Sequence, residues 1–374
     1  MVLIFRTCLA LAAAVFTVSA GYTQSPAPRL EVVDTAIRPL MEAGHFPGVA
    51  IAVLREGEPV HVGTYGLASV EHGVAVTPHT VFELASLTKA MTALALMSLV
   101  EDGAVSLDDP LSAYIPDTPT RWDTIRVGQL LSHMAGLAHR FEARPNGDFL
   151  LSYSEADMLA SAMETEMVSE PGADWSYSDQ GYFLAGLVIE AVTGEHYADH
   201  MQQQYFRPLG MRQTGRLDQS AIVPHRAEGY AWTDDGLHRN RRVWQFGQMA
   251  HFGTVSSLAD MMRWEAELAD PTVVDPAALE AIHLIQRPFD AGESCDAWGY
   301  ARGWMAYRVE GRTLVSHGGY AGAAYLRDLG SGLSVIVLTN REDGPGLVSP
   351  LDMAWAALNR LDPRIPADGL QCWQ

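Results

Sequence analysis

Lys89 is the first residue whose type and context point to chemistry. It is the only lysine in the 374-residue chain, and the other 24 of the 25 basic residues are arginine. A lysine ammonium loses its proton when it is desolvated, whereas a guanidinium stays charged at any accessible pH. A position that must exchange a proton therefore cannot accept arginine, and this singles out Lys89 for acid–base chemistry.

Ser86 lies three residues before Lys89, in the segment ELASLTKA at 83–90. In the first turn of a helix, residues three apart lie on one face, so the hydroxyl and the amine can touch. The backbone N–H of Ser86 would be among the unpaired donors of a helix start, where it can face an oxyanion. The pair predicts a nucleophilic serine with a neighbouring base. The alternative is an N-cap serine beside a solvated lysine.

Two further segments complete a pattern. WSYSDQGY at 175–182 opens a predicted helix, and SHGG at 316–319 ends a β-rich run. With these segments the sequence resembles the serine β-lactamase and penicillin-binding protein superfamily, most closely its class C-like branch of esterases, D-aminopeptidases and D-Ala-D-Ala carboxypeptidases. Five motifs occur in family order over about 37–361, namely Ser86-x-x-Lys89, 130–137, Tyr177-Ser178-Asp179, 253–260 and His317-Gly318-Gly319.

The resemblance implies catalytic roles for four residues. Ser86 would be the nucleophile that accepts the acyl group. Lys89 and Tyr177 would share the role of its base, and the sequence leaves open which of them takes the proton. The oxyanion hole would use the backbone N–H groups of Ser86 and Tyr320.

The strand motif is expected to contact the substrate. His317 stands where the family's Lys-Thr-Gly motif has lysine, in the His-x-Gly form found among its esterases and peptidases. It would supply a hydrogen bond to the substrate or to Tyr177. Gly318 and Gly319 would let a substrate backbone approach the strand closely.

Asp179 departs from the family pattern, which has asparagine at this position. A carboxylate keeps the hydrogen-bond acceptor and loses the donor, so we expect Asp179 to contact the substrate differently. If Asp179 touches Lys89, it should hold the lysine protonated and shift the role of base toward Tyr177. Ordinary β-lactam turnover is therefore in doubt. The simpler alternative is that Asp179 only caps the helix.

The elements that must position these residues follow from hydrophobic periodicity. Short connections make the C-terminal strands antiparallel neighbours. We expect an α/β (α+β) fold of the β-lactamase/transpeptidase type, with an antiparallel sheet built from both chain ends, flanking helices and an inserted, mainly helical lobe at about 105–270. The predicted helices are 29–43, one from about 86, 127–133, 155–164, 179–192, 197–206, 258–268 and 351–361, and the predicted strands are 48–54, 61–67, 303–309, 313–317, 323–329 and 334–339.

The start of the chain predicts export. Residues 1–20 hold one arginine and an apolar run that ends in Val18-Ser19-Ala20, the pattern of a cleavable secretory signal. Cleavage near Ala20 would leave one β-lactamase-related catalytic domain, 21–374, secreted or periplasmic. The alternative is a buried N-terminal helix. No later stretch is apolar over the roughly 18 residues that a membrane span needs, so no stable membrane anchor is expected.

Two cysteines, Cys295 and Cys372, remain once Cys8 leaves with the signal. In an oxidising compartment they predict a disulfide that ties the C-terminal tail to the domain. Two free thiols are the alternative, because spacing alone does not establish the geometry of a bond. Two cysteines without a histidine pattern predict no zinc site.

Composition narrows the possible partners. A net charge of −20 argues against nucleic acid as a partner, because binding nucleic acid needs a positive protein surface.

His196 and His200 have a spacing that could hold a metal on one helix face, but no His-Glu-x-x-His pattern accompanies them. A solvated helix face is the preferred interpretation over a zinc hydrolase. The sequence indicates no oligomeric state.

These observations predict an exported serine hydrolase that needs neither metal nor cofactor. It would form an acyl-enzyme on Ser86 with a small-molecule or peptide substrate, which would be a small ester, a D-amino-acid amide or a peptidoglycan-type peptide. The alternatives are a β-lactamase with the same acyl-enzyme chemistry and a catalytically inactive penicillin-binding-like module.

Overall fold

The structure is a computed structural model that describes residues 28–141, 151–240, 244–290, 295–370 and 372. The predicted signal segment, 1–20, lies outside the described residues and stays a prediction, as does the assignment of 21–374 to a single domain. The helices are α1 Glu31–Ala43, α2 Thr88–Glu101, α3 Val127–Leu131, α4 Glu155–Glu164, α5 Asp179–Thr193, α6 Tyr197–Met201, α7 Leu258–Ala269, α8 Pro276–Ile282 and α9 Pro350–Leu361. The strands are β1 Gly48–Arg55, β2 Glu58–Ser69, β3 Val74–Ala75, β4 Val81–Glu83, β5 Leu151–Tyr153, β6 Gly215–Arg216, β7 Tyr230–Thr233, β8 Gly236–Arg239, β9 Trp244–Phe246, β10 Thr254–Ser257, β11 Arg287–Phe289, β12 Ala297–Tyr300, β13 Met305–Val309, β14 Arg312–Gly319, β15 Ala323–Asp328 and β16 Leu333–Thr339.

An antiparallel sheet forms the centre of the molecule. Within the described residues it has nine strands, in the order β11-β12-β13-β14-β15-β16-β1-β2-β3. β1 pairs with β16, with Val49 opposite Thr339, so the two ends of the chain meet inside the sheet. Both strands are central and buried almost throughout. The predicted fold class, with a sheet built from both chain ends and flanked by helices, is confirmed.

The hairpin between β1 and β2 follows from its turn residues. Glu56 and Gly57 have φ values of 51° and 80°, which is the pattern of a two-residue type I′ turn. Gly57 also lies against α7, because a Cβ built on it would come within 2.9 Å of the Ala266 Cα atom. The turn therefore sets the strand register and packs the hairpin on a helix.

Helices cover both faces of the sheet. One face packs against α1 and α9 in a hydrophobic cluster that includes Val33, Ile37 and Trp355. The other face packs against α2 and the remaining helices in a larger cluster. Ten consecutive residues of α2 are buried, because the helix is enclosed on all sides. Among the described helices, none combines the length and apolarity needed to cross a membrane.

Several local features differ from the prediction, which also omits helix α8 and the central-sheet strands β3, β11 and β12. The helix expected from about 86 begins at Thr88, after a 3₁₀ turn at Ala85–Leu87. The helix expected at 197–206 is α6 followed by one π-helical turn, Gln202–Phe206. A small sheet, β4-β10-β6, was not predicted, because strands of two to four residues are too short to show a periodicity.

Cys295 and Cys372 are joined by a disulfide in the structure, with their Cα atoms 5.4 Å apart. Both cysteines are buried in the cluster on the α1–α9 face. The bond ties the end of the chain to the segment before β12, as the prediction of a tethered C-terminal tail expects.

Candidate active site

Ser86 lies in the 3₁₀ turn between β4 and α2, and its side chain is partly buried. The preceding residue, Ala85, has a φ of 46°, which is uncommon for a residue other than glycine. At the start of α2, the Thr88 hydroxyl accepts a hydrogen bond from the Thr254 N–H at 3.0 Å. The strained turn and this tie to β10 hold Ser86 at the N-terminal end of α2.

Lys89 has a fully buried side chain with three oxygen neighbours. Its Nζ donates to the His251 carbonyl at 2.6 Å, to Asp179 Oδ1 at 2.7 Å and to Ser86 Oγ at 3.3 Å. An ammonium has three protons and no lone pair. These three bonds use all its protons, so the geometry fits a charged Lys89 that touches the Ser86 hydroxyl.

The charges in the site favour the ionised form of both partners. Burial alone would lower the pKa of Lys89, but the charges of Asp179 and Tyr177 and the hydrogen bond to Asp179 outweigh burial, so the pKa is raised above 10.5. Burial alone would raise the pKa of Asp179, but Lys89 and the nearby histidines lower it below 3.8. Lys89 and Asp179 therefore form a buried ion pair.

Tyr177 lies beside this ion pair, just before α5. The Lys89 Nζ atom is 4.9 Å from the centroid of the Tyr177 ring. The N-cap of α5 is Ser178, whose Oγ accepts the Gly181 N–H at 3.0 Å. The alternative in which Asp179 only caps the helix is therefore wrong: Asp179 is the first helical residue, and its carboxylate is bonded to Lys89 instead.

His317 lies on β14 and is buried behind the site. Its Nδ1 is 2.7 Å from the Gly318 carbonyl, and its Nε2 is 3.4 Å from the Tyr300 hydroxyl. The ring centroid is 6.4 Å from that of Tyr177. Burial, and then the charge of Lys89, lowers the pKa of His317 to about 4. The imidazole is therefore neutral at pH 7.

Gly319 packs directly on the chain that leads into Ser86. A Cβ built on Gly319 would lie 2.1 Å from the Leu84 carbonyl oxygen, whereas one on Gly318 would meet nothing closer than 3.8 Å. The missing side chain of Gly319 thus serves the approach of β14 to the nucleophile segment. This close approach places Tyr320, the next residue, beside that segment. The side chain of Tyr320 itself is 58% exposed.

Two histidines that sequence reasoning missed border the ion pair. His251 accepts the Lys89 bond through its carbonyl, and burial lowers the pKa of its ring to about 3. His139 is partly exposed, with Nδ1 4.0 Å from Asp179 Oδ2. No periodicity marks either residue. The only available signal is their position two residues outside the motif segments 130–137 and 253–260.

The expected solvated helix face is wrong: His200 is 6% exposed, and His196 is the N-cap of α6. Nε2 of His196 lies 3.0 Å from Glu155, while His200 bonds Glu195. Among the described residues, Glu155, Glu190 and His196 have possible metal-ligating atoms within 4.8 Å of one another. However, His196 Nδ1 accepts the backbone N–H two residues on, which leaves the proton on Nε2. The Nε2 proton faces the Gly247 carbonyl at 3.3 Å, and the Glu155 oxygen 3.0 Å away is a close neighbour but not a hydrogen-bond partner of His196.

A polar cavity of about 280 Å³ lies near the segments that carry the site, and none of the predicted site residues lines it. Its walls include Glu83, three residues before Ser86, and Ala321, the residue after Tyr320. An ion pair at 2.8 Å between Arg226 and Glu83 crosses one wall. The charged residues around the cavity are Glu83, Arg226, Glu228, Arg239 and Glu342.

Comparison with known proteins identifies the family of the chain. The family model described as Beta-lactamase matches residues 33–360. Protein flp of Staphylococcus aureus (strain COL) is 27% identical over 293 residues, which is 77% of this chain and 57% of that protein. The chain therefore spans little more than half the length of this curated relative.

Solved structures are similar over most of the chain. The octameric penicillin-binding protein homologue from Pyrococcus abyssi has a TM-score of 0.77 and 26% identity, covering 90% of this chain and 78% of that one. D-amino acid amidase from Ochrobactrum anthropi SV3, in complex with D-phenylalanine, has a TM-score of 0.74 and 25% identity, covering 88% of this chain and 99% of that one. These matches confirm the resemblance inferred from the five motifs. The chain belongs to the β-lactamase family.

Proposed function

We propose that the protein is a serine hydrolase that takes an acyl group from its substrate onto Ser86 and then passes it to water. The observation that carries the proposal is the contact between Ser86 Oγ and the buried Lys89 Nζ, 3.3 Å apart. A nucleophile beside a charged partner that a third residue orients, here Asp179, is the arrangement typical of covalent catalysis.

The site favours Tyr177 over Lys89 as the base. Lys89 is held as an ammonium and has no lone pair to accept the Ser86 proton. The Tyr177 ring lies 4.9 Å from that ammonium, so its phenol oxygen is the remaining candidate for the base. When the Ser86 oxygen attacks the substrate carbonyl, Tyr177 in its deprotonated form takes the proton. The phenol then returns the proton to the departing alkoxide or amine. Water repeats the sequence on the acyl-enzyme and releases the acid.

The remaining residues would bind the reacting group. The backbone N–H groups of Ser86 and Tyr320 would hold the oxyanion. His317 is proposed to contact the substrate or Tyr177 as a neutral ring, because its pKa of about 4 leaves it uncharged at pH 7. This strand position therefore offers no positive charge to a substrate carboxylate. We therefore expect the enzyme to hydrolyse esters and amides in preference to β-lactams and to peptides with a free C-terminus at the cleavage site.

For the substrate we propose small esters and amides of D-amino acids with a free α-amine. Asp179 Oδ1 is bonded to Lys89, Oδ2 lies 4.0 Å from His139 Nδ1, and the side chain is 19% exposed. A carboxylate oxygen accepts hydrogen bonds from an ammonium. The similarity to a D-amino acid amidase at 25% identity supports this class. Export through the segment 1–20 is part of the same proposal.

Active-site labelling tests the proposed mechanism. We expect a fluorophosphonate or a fluorescent penicillin to label the wild-type protein, and Ser86→Ala to abolish the label. A screen over nitrophenyl esters, D-aminoacyl anilides and nitrocefin then identifies the substrate class. Retained labelling in Ser86→Ala would refute the nucleophile. A folded wild-type protein that neither labels nor hydrolyses would favour the inactive binding module.

The substrate proposal has its own test. Asp179→Asn should reduce the preference for D-alanyl over N-acetyl-D-alanyl anilides, measured as the ratio of the two kcat/KM values. Hydrogen bonds to charged groups contribute about 1.5–3 kcal/mol, so the ratio should change by roughly one to two orders of magnitude. An unchanged ratio means that Asp179 does not select the amine.

A further inference from the structure

We infer that His133 is a positioning residue that holds Tyr177 in place for proton transfer, an inference that rests on the proposed function. His133 follows α3 and bonds the main chain on both sides of Tyr177. The Ser176 N–H donates to the His133 carbonyl at 3.0 Å, and the Ser178 N–H donates to His133 Nδ1 at 3.0 Å. One residue thus clamps the peptide segment that carries the proposed base.

His133 also contacts the Tyr177 side chain. The centroids of the two rings are 4.3 Å apart, and their planes are inclined by 40°. The imidazole is itself enclosed by Tyr300 at 4.5 Å and Tyr182 at 5.2 Å. Because close-packed rings leave few alternative rotamers, the contact limits the orientations open to the Tyr177 phenol.

The bond from Ser178 requires a particular state of the imidazole. Nδ1 accepts a hydrogen bond, so the proton of the neutral ring is on Nε2. His133 is 1% exposed, and burial, followed by the charges of Lys89, His317 and His139, lowers its pKa well below 6.5. The acceptor is therefore present throughout the neutral pH range.

The backbone of His133 is in the left-handed region, with a φ of 59°. Residues other than glycine seldom adopt this conformation, although asparagine, aspartate and histidine do so several-fold more often than the rest. Glycine would adopt it without strain but would supply neither the acceptor nor the ring. Backbone strain persists only where surrounding contacts outweigh it, and the contacts here are those with the segment around Tyr177.

Loss of the acceptor would displace Tyr177. Ser178 is 2% exposed, so its N–H would be left buried without a partner, which is unfavourable. The segment would then move to find another acceptor. A displacement of about 1 Å at a reacting group costs on the order of 10²-fold in rate. A purely structural histidine would instead lower stability and leave kcat of the folded enzyme unchanged.

A pair of substitutions separates the acceptor from the ring. His133→Phe keeps an aromatic ring and removes the acceptor, and we expect kcat to fall about 10²-fold with little change in KM. His133→Asn places Oδ1 near the position of Nδ1 and tolerates the left-handed backbone, so it should recover most of the activity. If His133→Phe does not fold, His133→Gly, which suits this backbone, replaces it with the same expected loss.

A spectroscopic measurement gives a second readout. With ring-labelled tyrosine, the Tyr177 NMR signal, assigned by its absence in Tyr177→Phe, should shift in His133→Phe and stay near its wild-type position in His133→Asn. Wild-type kcat in folded His133→Phe, or an unmoved Tyr177 signal, would overturn the inference. Failure of the proposed function is recognised separately, because the wild-type protein would then show no labelling at Ser86.

Discussion

At the scale of single residues, Lys89 donates three hydrogen bonds from a single nitrogen atom inside the protein. Its ammonium bonds Asp179, the His251 carbonyl and Ser86. Arginine would keep the charge but spread its donors over a planar fork that cannot reproduce this geometry. We predict that Lys89→Arg folds and is nearly as inactive as Lys89→Ala, as measured by kcat/KM and thermal unfolding. Near-wild-type turnover by the arginine variant would contradict the role of Lys89.

The Lys89–Asp179 ion pair also determines how stability depends on pH. The pKa of Asp179 is lowered below 3.8, so its contribution is present above that pH and is lost as pH falls through the folded-state value. The pKa of Lys89 is raised above 10.5, so its contribution is present below that pH and is lost as pH rises through the folded-state value. The pair should therefore stabilise the protein over the range between these two values.

We predict that Asp179→Asn lowers the free energy of unfolding by about 3 kcal/mol near neutral pH, because it leaves a buried ammonium without its counter-ion. The difference from wild type should shrink as pH falls through the lowered pKa of Asp179, below 3.8, and as pH rises through the raised pKa of Lys89, above 10.5, where one partner loses its charge. Denaturant titrations at several pH values measure it. A difference that stays constant over the whole range would show that charge pairing is not its source.

At the scale of elements, β14 acts through its distance from the Ser86 turn. A side chain on Gly319 would collide with the Leu84 carbonyl, whereas Gly318 has open space. Packing therefore requires glycine at 319 but not at 318, so a substitution at Gly318 is a control for the same substitution at Gly319. The position of Tyr320 relative to Ser86 depends on that packing.

We predict that Gly319→Ala lowers stability by about 1–3 kcal/mol, the usual cost of overpacking, and that Gly318→Ala leaves stability nearly unchanged. Gly319→Ala should also reduce kcat by about 10²–10³-fold, because it separates the two proposed oxyanion donors. Thermal unfolding and steady-state kinetics measure both effects. Equal stability losses for the two variants would show that the close approach to Leu84 is unimportant.

At the scale of the whole molecule, the disulfide and the site lie on opposite faces of the sheet. Cys295 and Cys372 belong to the cluster around α1 and α9, whereas the residues that flank Ser86 belong to the cluster around α2. The bond closes a loop with a sequence separation of 77 residues. It should therefore restrict the unfolded chain without contributing to the chemistry.

We predict that the double variant Cys295→Ser/Cys372→Ser is less stable by about 2–4 kcal/mol, an estimate from the entropy of loop closure. Its kcat/KM should equal that of the oxidised wild type at temperatures where both are folded. Denaturant unfolding and thiol titration of protein purified from the periplasm measure the effect. Two titratable thiols in the wild-type protein would show that the bond does not form there.

Much of the architecture could be predicted from local sequence. The lone Lys89, its spacing from Ser86 and the order of five motifs were sufficient for the family. Periodicity located most of the long helices and six of the nine strands that the described part of the central sheet contains, because burial of one face imposes a local repeat. The short strands β4, β6 and β10 show no such repeat, and neither the 3₁₀ turn at Ser86 nor the π-helical turn after α6 was anticipated.

The sequence by itself determined which residues are candidates, since residue type and spacing record what chemistry is available. Only the tertiary structure decided how they are used. In the structure Asp179 is bonded to Lys89, and Ser178 caps α5. The Leu84 carbonyl occupies the space beside Gly319, and His133 is hydrogen-bonded to the residues before and after Tyr177. Each of these contacts joins segments far apart in the chain or depends on a single backbone conformation. Such contacts arise when layers pack together. The hydrophobic repeat of an element shows which of its faces is buried, but it does not show which residues that face will contact.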